Sequence, residues 1–259
     1  MRVFALSDMH VDYDVNARWV QNLSRSDYRD DLLILAGDIS HRSALLVSCV
    51  SALASRFAKV LFVPGNHDLW VVGEAPGKTS MQKFVEVMET VRDCGASTET
   101  FFRNDVAIVP LLGWYDYSFG EPDHDLMMMW ADYRACRWPE GFGPREVSEH
   151  FAGMNTAELH RTITNDTIAK VISFSHFLPR IDLVPTYVPR KHRFLDPVLG
   201  STRIEAQLRR IDSSIHVYGH SHINRSVRIE GVTYINNAFG YPQEETIATK
   251  RLLCIDEIR

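Results

Sequence analysis

The sequence has little that would tie it to a membrane or to an oxidising compartment. Its 259 residues include only four cysteines, which lie far apart and form no C-x-x-C pair. Such cysteines are typical of reduced thiols rather than of disulfides or zinc ligands. No apolar run approaches the roughly 20 residues that a membrane-spanning helix needs, and the first residues lack the long apolar stretch of a signal peptide. We therefore expect a cytoplasmic protein with no membrane partner.

An excess of positive charge is also absent. Lys and Arg total 28 against 33 Asp and Glu, which gives a formal net charge of −5. A surface with this balance does not attract polyanions in general, so a nucleic-acid partner is not expected. The sequence contains no G-x-S-x-G and no P-loop motif, which argues against two common catalytic designs. Because no linker or low-complexity segment interrupts it, we expect one domain over residues 1–259.

Five short polar blocks are what the sequence does contain. Each follows or closely flanks an apolar run rich in β-branched residues, which is typical of a buried strand. In open α/β sheets, ligands bind where the carboxyl ends of the strands meet loops, so these blocks lie where a site should form. They provide enough oxygen and nitrogen ligands for two divalent metals. The blocks are Asp8-Met9-His10, Gly37-Asp38, Gly65-Asn66-His67-Asp68, Ser175-His176 and Gly219-His220-Ser221-His222.

The elements between these blocks predict the class of fold. Up to residue 64 the pattern runs strand, helix, strand, helix, strand, which is typical of a parallel sheet with crossover helices. Helices are predicted over 16–23, 43–57, 81–91 and 145–165. After residue 213 the pattern changes to short strands, and Gly231 between two of them indicates a tight hairpin.

The order D-x-H, G-D, G-N-H-D, H, G-H-x-H resembles the calcineurin-like metallophosphoesterase superfamily, and it spans residues 8 to 222. The resemblance implies an α/β fold with two facing mixed β-sheets flanked by helices. The second block departs from the pattern of the Ser/Thr phosphatase branch, and the third ends in Asp68 where that branch has Glu. These departures favour the broader bacterial-type phosphoesterases.

The resemblance also implies roles for individual residues. Two divalent metals are expected, with manganese preferred and iron, zinc or nickel admissible for these ligands. Asp38 is expected to bridge the metals. His67 is predicted to face the phosphate, where it stabilises charge or protonates the leaving oxygen, and Asp68 is its predicted catalytic partner, with Asp68 or Asp8 orienting the ring. The terminal ligands are expected to be Asp8, His10 and His222 for one metal, and Asn66, His176 and His220 for the other.

Two further segments are candidates for substrate selection. Residues 113–144 are rich in aromatic side chains, so they either form a cap over the metal cleft or bury one another under a long loop. Arg180 follows His176 closely and is the candidate contact for a substrate phosphate, since a guanidinium pairs well with phosphate oxygens. The alternative is a solvated basic loop. His41 is a second candidate for lining the cleft.

These features predict a metal-dependent phosphoesterase that hydrolyses a phosphomonoester or phosphodiester by attack of a metal-bridging hydroxide. Its expected partner is a phosphorylated small molecule or a nucleotide. A cyclic-nucleotide or nucleotide phosphodiesterase is the closest alternative, and a protein phosphatase is less favoured. In a different class, a non-catalytic binding scaffold could keep the same fold, but such a scaffold is expected to have lost metal ligands.

Overall fold

The computed structural model describes residues 1–258 as two β-sheets with helices on their outer faces. Within these residues, the first sheet has the strand order β10-β1-β2-β3 and the second has the order β4-β5-β6-β7-β9-β8. The strands are β1 (Arg2–Leu6), β2 (Leu32–Ala36), β3 (Lys59–Val63), β4 (Phe101–Arg103), β5 (Val106–Pro110), β6 (Lys170–Phe174), β7 (Ser213–Tyr218), β8 (Arg225–Ile229), β9 (Val232–Asn236) and β10 (Leu253–Glu257).

Helices cover the outer face of each sheet. The α-helices are α1 (Asp14–Asn22), α2 (Ser43–Ala54), α3 (Ser80–Asp93), α4 (His124–Met129), α5 (Asp132–Ala135), α6 (Pro144–Met154), α7 (Thr156–Ile163) and α8 (Thr202–Arg210). Three short 3₁₀ segments span His67–Leu69, Ile181–Leu183 and Arg190–Val198. Since α1 and α2 connect β1 to β2 and β2 to β3, these three strands are parallel, and only β10 at the edge is antiparallel.

The second sheet is parallel in its centre and antiparallel at both edges. β5, β6, β7 and β9 pair in parallel, while β4 and β8 pair antiparallel to their neighbours. Glu230 and Gly231 in the turn between β8 and β9 have φ of 48° and 87°. Two successive positive φ angles match the twist of the flanking strands, so the tight hairpin predicted at Gly231 is confirmed.

Alternating side chains of the strands divide the core into two clusters. In β1, Val3 and Ala5 pack between the sheets with residues such as Phe174 of β6. Phe4 and Leu6 of the same strand point the other way, into the cluster that includes the helices. A strand covered on both faces needs a continuous apolar sequence, which explains the apolar runs. The predicted arrangement of two facing mixed sheets flanked by helices is confirmed.

Several boundaries differ from the sequence prediction. The helix predicted over 43–57 ends at Ala54, and the helix predicted over 145–165 is divided into α6 and α7. Asn155 lies at the division, and its side chain bonds both to the N–H of Leu112 at 2.9 Å and to the carbonyl of Leu112 at 2.8 Å. Strand β4 was not predicted, because three residues are too few to show a periodic pattern.

Segment 113–144 contains the short helices α4 and α5 rather than an entirely irregular loop. Trp114 is fully buried and packs against Trp138 and Phe177, with ring centroids 5.0 Å apart in both pairs. At this end of the segment the aromatic side chains bury one another. Among residues 1–258, no helix is both long and apolar enough to span a bilayer.

Candidate dinuclear metal centre

The carboxyl ends of parallel strands from both sheets meet at one edge of the protein. Backbone hydrogen bonds join the sheets there: the N–H of Ser7 donates to the carbonyl of Asn237 at 3.2 Å, and the N–H of Gly240 donates to the carbonyl of Asp8 at 3.0 Å. All five polar blocks follow strands that end at this edge. The strands β1, β2, β3, β6 and β7 lead to Asp8 and His10, Asp38, Asn66, His176, and His220 and His222 respectively.

The backbone at this edge is strained at the predicted ligands. A non-glycine residue in the left-handed region costs of order 1–3 kcal/mol and persists only where the surrounding structure holds it. Such strain clusters at functional sites, because a strained backbone can point side chains in directions that a relaxed backbone does not allow. Five of the seven predicted ligands adopt positive φ: Asp8 (52°), His10 (39°), Asp38 (58°), His220 (65°) and His222 (54°).

The glycine before Asp38 allows the loops to approach closely. Gly37 has φ of 82°, and a Cβ on it would lie 2.7 Å from Nδ1 of His176 and 2.6 Å from the backbone nitrogen of Gly65. Neither atom could move without displacing a predicted ligand. A side chain at position 37 is therefore incompatible with the geometry of this edge.

The ligand-type atoms form two groups that share Asp38. In group 1, atoms of Asp8, His10, Asp38 and His222 lie within 4.8 Å of one another, and in group 2 the same holds for Asp38, His176 and His220. Oδ1 of Asn66 lies 3.1 Å from Nε2 of His176 and so adds an oxygen to group 2. Shared membership is what a bridging carboxylate requires, and it supports the role predicted for Asp38.

Hydrogen bonds to the backbone fix the two imidazoles of group 2. Nδ1 of His176 lies 2.9 Å from the carbonyl of Ala36, and Nε2 of His220 lies 3.0 Å from the carbonyl of Val198. A carbonyl only accepts, so these two nitrogens carry the protons. Nε2 of His176 and Nδ1 of His220 are then unprotonated, and they face each other at 3.2 Å. Two lone pairs at this distance, with no proton between them, fit a cation.

Asp132 supports group 2 through Asn66, although no sequence pattern indicated it. Its buried carboxylate accepts hydrogen bonds from Nδ2 of Asn66 at 2.9 Å, Nε1 of Trp70 at 2.7 Å and Nε1 of Trp130 at 2.9 Å. Because the amide nitrogen of Asn66 donates to Asp132, its oxygen is turned towards His176. Segment 113–144 therefore reaches the metal centre through Asp132.

Group 1 is held by a carboxylate instead. Nδ1 of His222 donates to Oε2 of Glu244 at 2.6 Å, which leaves Nε2 facing Oδ1 of Asp8 at 3.3 Å and Nε2 of His10 at 3.1 Å. Burial opposes protonation of His222, yet the carboxylates of Asp8 and Glu244 raise its pKa to about 10. The raised pKa shows that the surroundings of His222 stabilise positive charge.

The carboxylates of the centre lack solvent to stabilise their charge. Burial, together with the neighbouring carboxylates of Asp68 and Asp8, raises the pKa of Asp38 well above its ordinary value. Buried negative charges need positive partners, and bound cations are the strongest local charges that a protein site can use. Unprotonated nitrogens and buried carboxylates therefore form a donor set that fits divalent metals.

His67 lies beside the two groups and is a member of neither. Its ring stacks on Trp70 with centroids 3.7 Å apart, and its Nε2 lies 3.9 Å from Oδ2 of Asp38 and 3.4 Å from the hydroxyl of Tyr241. Burial, together with the neighbouring His10, lowers the pKa of His67 well below its ordinary value. A neutral imidazole can still donate an N–H hydrogen bond, which suits the charge-stabilising role predicted for His67. The acid role, which needs the protonated ring, stays a prediction.

Asp68 contacts main-chain groups rather than the ring of His67. Its buried carboxylate accepts hydrogen bonds at 2.9 to 3.1 Å from the N–H groups of Asp38, Ile39, Ser40 and Gly65. These bonds tie the loop after β2 to the loop after β3, and so position Asp38 indirectly. The structure thus gives Asp68 a positioning role, which differs from the ring-orienting role that the sequence suggested.

The two predicted substrate contacts lie in different surroundings. Arg180 pairs with Asp182 at 2.9 Å, with Glu205 at 3.3 Å and with Glu230 at 2.8 Å, and these carboxylates raise its pKa further. The guanidinium is thus engaged by three carboxylates, and its contact with a substrate phosphate stays a prediction. His41 lies with its ring centroid 5.9 Å from that of Trp70, close to His67, and its role is also still a prediction.

Sequence reasoning missed four residues that support the centre. Asp132, Glu244, Trp70 and Tyr241 each contact a predicted ligand or His67. Glu244 and Tyr241 belong to a loop after the last polar block, and only the packing of that loop brings them to group 1. Gly240, next to Tyr241, adopts a positive φ of 72°, and a glycine at this position is the kind of residue that can indicate a turn in sequence.

Comparison with known families agrees with this geometry. Residues 1–224 match the family model of the calcineurin-like phosphoesterases. The chain belongs to the calcineurin-like phosphoesterase family. The predicted resemblance is confirmed, and so is the prediction of a metal-dependent hydrolase acting on phosphoester bonds, since this family uses divalent metals and the donor set is present.

Two similarities are more specific. This phosphoesterase is 28% identical over 265 residues to the [acyl-carrier-protein] phosphodiesterase PptH of Mycobacterium tuberculosis. The aligned region covers 93% of this chain and 78% of that protein. The crystal structure of the phosphopantetheinyl hydrolase PptH from Mycobacterium tuberculosis matches with a TM-score of 0.76 at 24% identity, and the match covers 98% of this chain and 96% of that chain. The structural match confirms the fold.

Proposed function

We propose that this phosphoesterase is a phosphodiesterase whose substrate is a carrier protein bearing a phosphopantetheinyl arm. The similarity to an [acyl-carrier-protein] phosphodiesterase along 93% of the chain carries this proposal. The metal centre itself would suit a phosphomonoester or a nucleotide equally well, because it acts on the phosphoryl group alone. The similarity is therefore what favours this substrate over the nucleotide alternatives.

Two divalent ions would be held by group 1 and group 2, with Asp38 shared between them. The mixture of imidazole, carboxylate and amide ligands admits manganese, iron, zinc or nickel, and we expect manganese. Such ions, when bound, polarise phosphoryl oxygens and lower the pKa of a coordinated water to about 7. The terminal ligands would be Asp8, His10 and His222 in group 1, and Asn66, His176 and His220 in group 2.

The remaining residues would orient the substrate and the proton. His67 lies beside both groups with its Nε2 near Asp38, so it would donate a hydrogen bond to the carrier oxygen that departs from phosphorus. Trp130 approaches His220 edge-on, with ring centroids 5.9 Å apart, so the 113–144 segment would wall group 2 as a cap within the single domain. Excluding water there would strengthen each electrostatic contact with the phosphate.

The test is to incubate a phosphopantetheinylated carrier protein with the purified enzyme and manganese, and to follow the intact mass of the carrier. We expect the mass to fall by that of the phosphopantetheine arm. In ¹⁸O-labelled water, the label should enter the released phosphopantetheine and not the carrier, because attack occurs at phosphorus and the carrier oxygen leaves.

Two controls make this test specific. Chelator-treated enzyme and the Asp38→Asn variant should leave the carrier intact. Cyclic nucleotides and nucleotide diesters assayed in parallel should be poorer substrates. An enzyme that hydrolyses nucleotides readily but leaves the carrier unchanged would contradict the proposed substrate while keeping the phosphoesterase activity.

A further inference from the structure

An apolar groove lies beside group 1. Its volume is about 550 Å³, whereas one water occupies about 30 Å³ of liquid and small-molecule pockets span roughly 300–1,000 Å³. The groove is therefore large enough for an organic group of many atoms and not only for a phosphate. Its apolar walls include Val184, Val188, Leu195, Leu199, Ile223 and Ile247.

The groove adjoins the residues of group 1 without being lined by a predicted ligand itself. Ser221 and Glu244 both line it. Ser221 lies between His220 and His222 in the chain, and Glu244 accepts the hydrogen bond from Nδ1 of His222 at 2.6 Å. The groove is therefore close enough to group 1 to hold a substituent of a phosphate bound at the metal centre.

The lining also limits the chemistry of that substituent. Within the described part of the chain, the groove is lined by no lysine or arginine, and its one histidine, His192, is accompanied by the carboxylates of Asp196 and Glu244. This balance of charge does not favour a second phosphate or a pyrophosphate. Nearby Arg193 is bonded through Nε to Asp196 at 2.8 Å. An uncharged group that buries aliphatic surface fits these walls better than a polyanion does.

One polar atom of the wall needs a hydrogen-bond donor. Asp196 lines the groove, its side chain is only 15% exposed, and its Oδ1 is buried without a hydrogen-bond partner among residues 1–258. Leaving such an acceptor unsatisfied is unfavourable, so a ligand with an N–H or O–H group would complete it. The occupant should thus combine aliphatic stretches with amide or hydroxyl donors.

We infer that this groove binds the pantetheine arm of the substrate, an uncharged chain of aliphatic segments joined by amides, while its phosphate lies at the metal centre. The inference rests on the proposed phosphodiesterase function and adds the location of the arm. Recognition of the substrate then depends on the arm as well as on the surface of the carrier.

The test compares two diesters that share one leaving group, 4-nitrophenyl pantetheinyl phosphate and 4-nitrophenyl methyl phosphate. We expect the unaltered enzyme to prefer the pantetheinyl ester by at least about tenfold in kcat/KM, since burial of two methylene groups is enough for that factor. Val188→Trp and Leu195→Trp, at separate points of the groove, should each reduce the preference to near unity.

Ile163→Trp is the matched control. Ile163 is exposed at the end of α7, shortly before β6 begins, and hence near the edge of the sheet opposite the metal centre. This variant should keep the preference. Metal content and thermal transitions of all three variants show whether each has folded. A measurement without variants uses phosphopantetheine and inorganic phosphate as inhibitors, and phosphopantetheine should bind at least about tenfold more tightly.

The outcomes separate the two proposals. If both diesters are hydrolysed with equal kcat/KM, or if phosphopantetheine inhibits no better than phosphate, the groove assignment is overturned while the phosphodiesterase activity stands. A preference that survives both tryptophan substitutions in folded protein also overturns it. Failure to hydrolyse either diester with manganese present rejects the phosphodiesterase proposal and the groove assignment together.

Discussion

The two halves of the metal centre are held by different means. In group 2, backbone carbonyls of Ala36 and Val198 orient His176 and His220. In group 1, the carboxylate of Glu244 orients His222, and it comes from a loop and is 22% exposed. Main-chain partners are fixed by the fold itself, whereas a loop side chain can move away. We therefore expect group 2 to hold its metal more tightly than group 1.

Asp38 is where the two halves meet, so its substitution should have the largest effect. Asp38→Asn removes the negative charge that both groups share, and we expect loss of at least one metal and loss of measurable activity. Metal analysis after gel filtration and a manganese-dependent phosphodiesterase assay provide the check. Normal turnover with full metal content would disprove the bridging role.

His67→Ala should lower turnover without disturbing either half. Because His67 is a member of neither group, metal content should stay near that of the unaltered enzyme, while kcat falls by about 10²–10⁴-fold. The loss should be smaller for a nitrophenyl ester, whose leaving group needs little protonation. An equal loss with good and poor leaving groups would leave His67 an electrostatic role and remove its role as an acid.

Glu244→Gln tests the proposed difference between the groups directly. Removing the carboxylate partner of a metal-binding histidine typically lowers metal affinity by about 10–100-fold. Only one of the two metals should become easier to remove, which stepwise titration with a chelator measures. Glu245→Gln, at the exposed neighbouring position, should leave both affinities as they were. Equal weakening of both sites would show that the two halves are not held independently.

His216 offers a smaller test on the side of group 2. Its buried ring bonds Ser173 at 2.8 Å and Ser175 at 3.0 Å, and burial lowers its pKa to about 3. The unfolded chain, with a histidine pKa of about 6.5, binds a proton that the folded protein does not, so folding stability should fall as pH drops below 6.5. His216 should contribute a loss of about 2 kcal/mol between about pH 7 and about pH 5.

Urea unfolding with chelator present measures this contribution. Between about pH 7 and about pH 5, the free energy of unfolding of His216→Gln should fall by about 2 kcal/mol less than that of the unaltered protein. Parallel curves for His216→Gln and the unaltered protein would contradict the assignment of a neutral buried ring.

The convergence of the predicted ligands could be inferred from sequence because each follows a buried strand. Parallel strands end at one edge of a sheet, so residues as distant as Asp8 and His176 converge without further information. Asp132 and Glu244 could not be predicted in this way, because loop packing alone brings them to the centre. The contacts of Arg180 could not be predicted either. Its guanidinium pairs with Glu205 of α8 and with Glu230 of the β8–β9 turn, and both are distant from it in sequence.

The central claim is a centre for two metals in which Asp38 belongs to both halves, and stepwise removal of metal from manganese-loaded enzyme tests it most directly. We predict about two ions per chain, as a paired phosphoesterase centre requires. They should be released in two separate steps, with the first step shifted by Glu244→Gln and both disrupted by Asp38→Asn. A single ion per chain, or two ions whose release is unaffected by Asp38→Asn, would contradict the account.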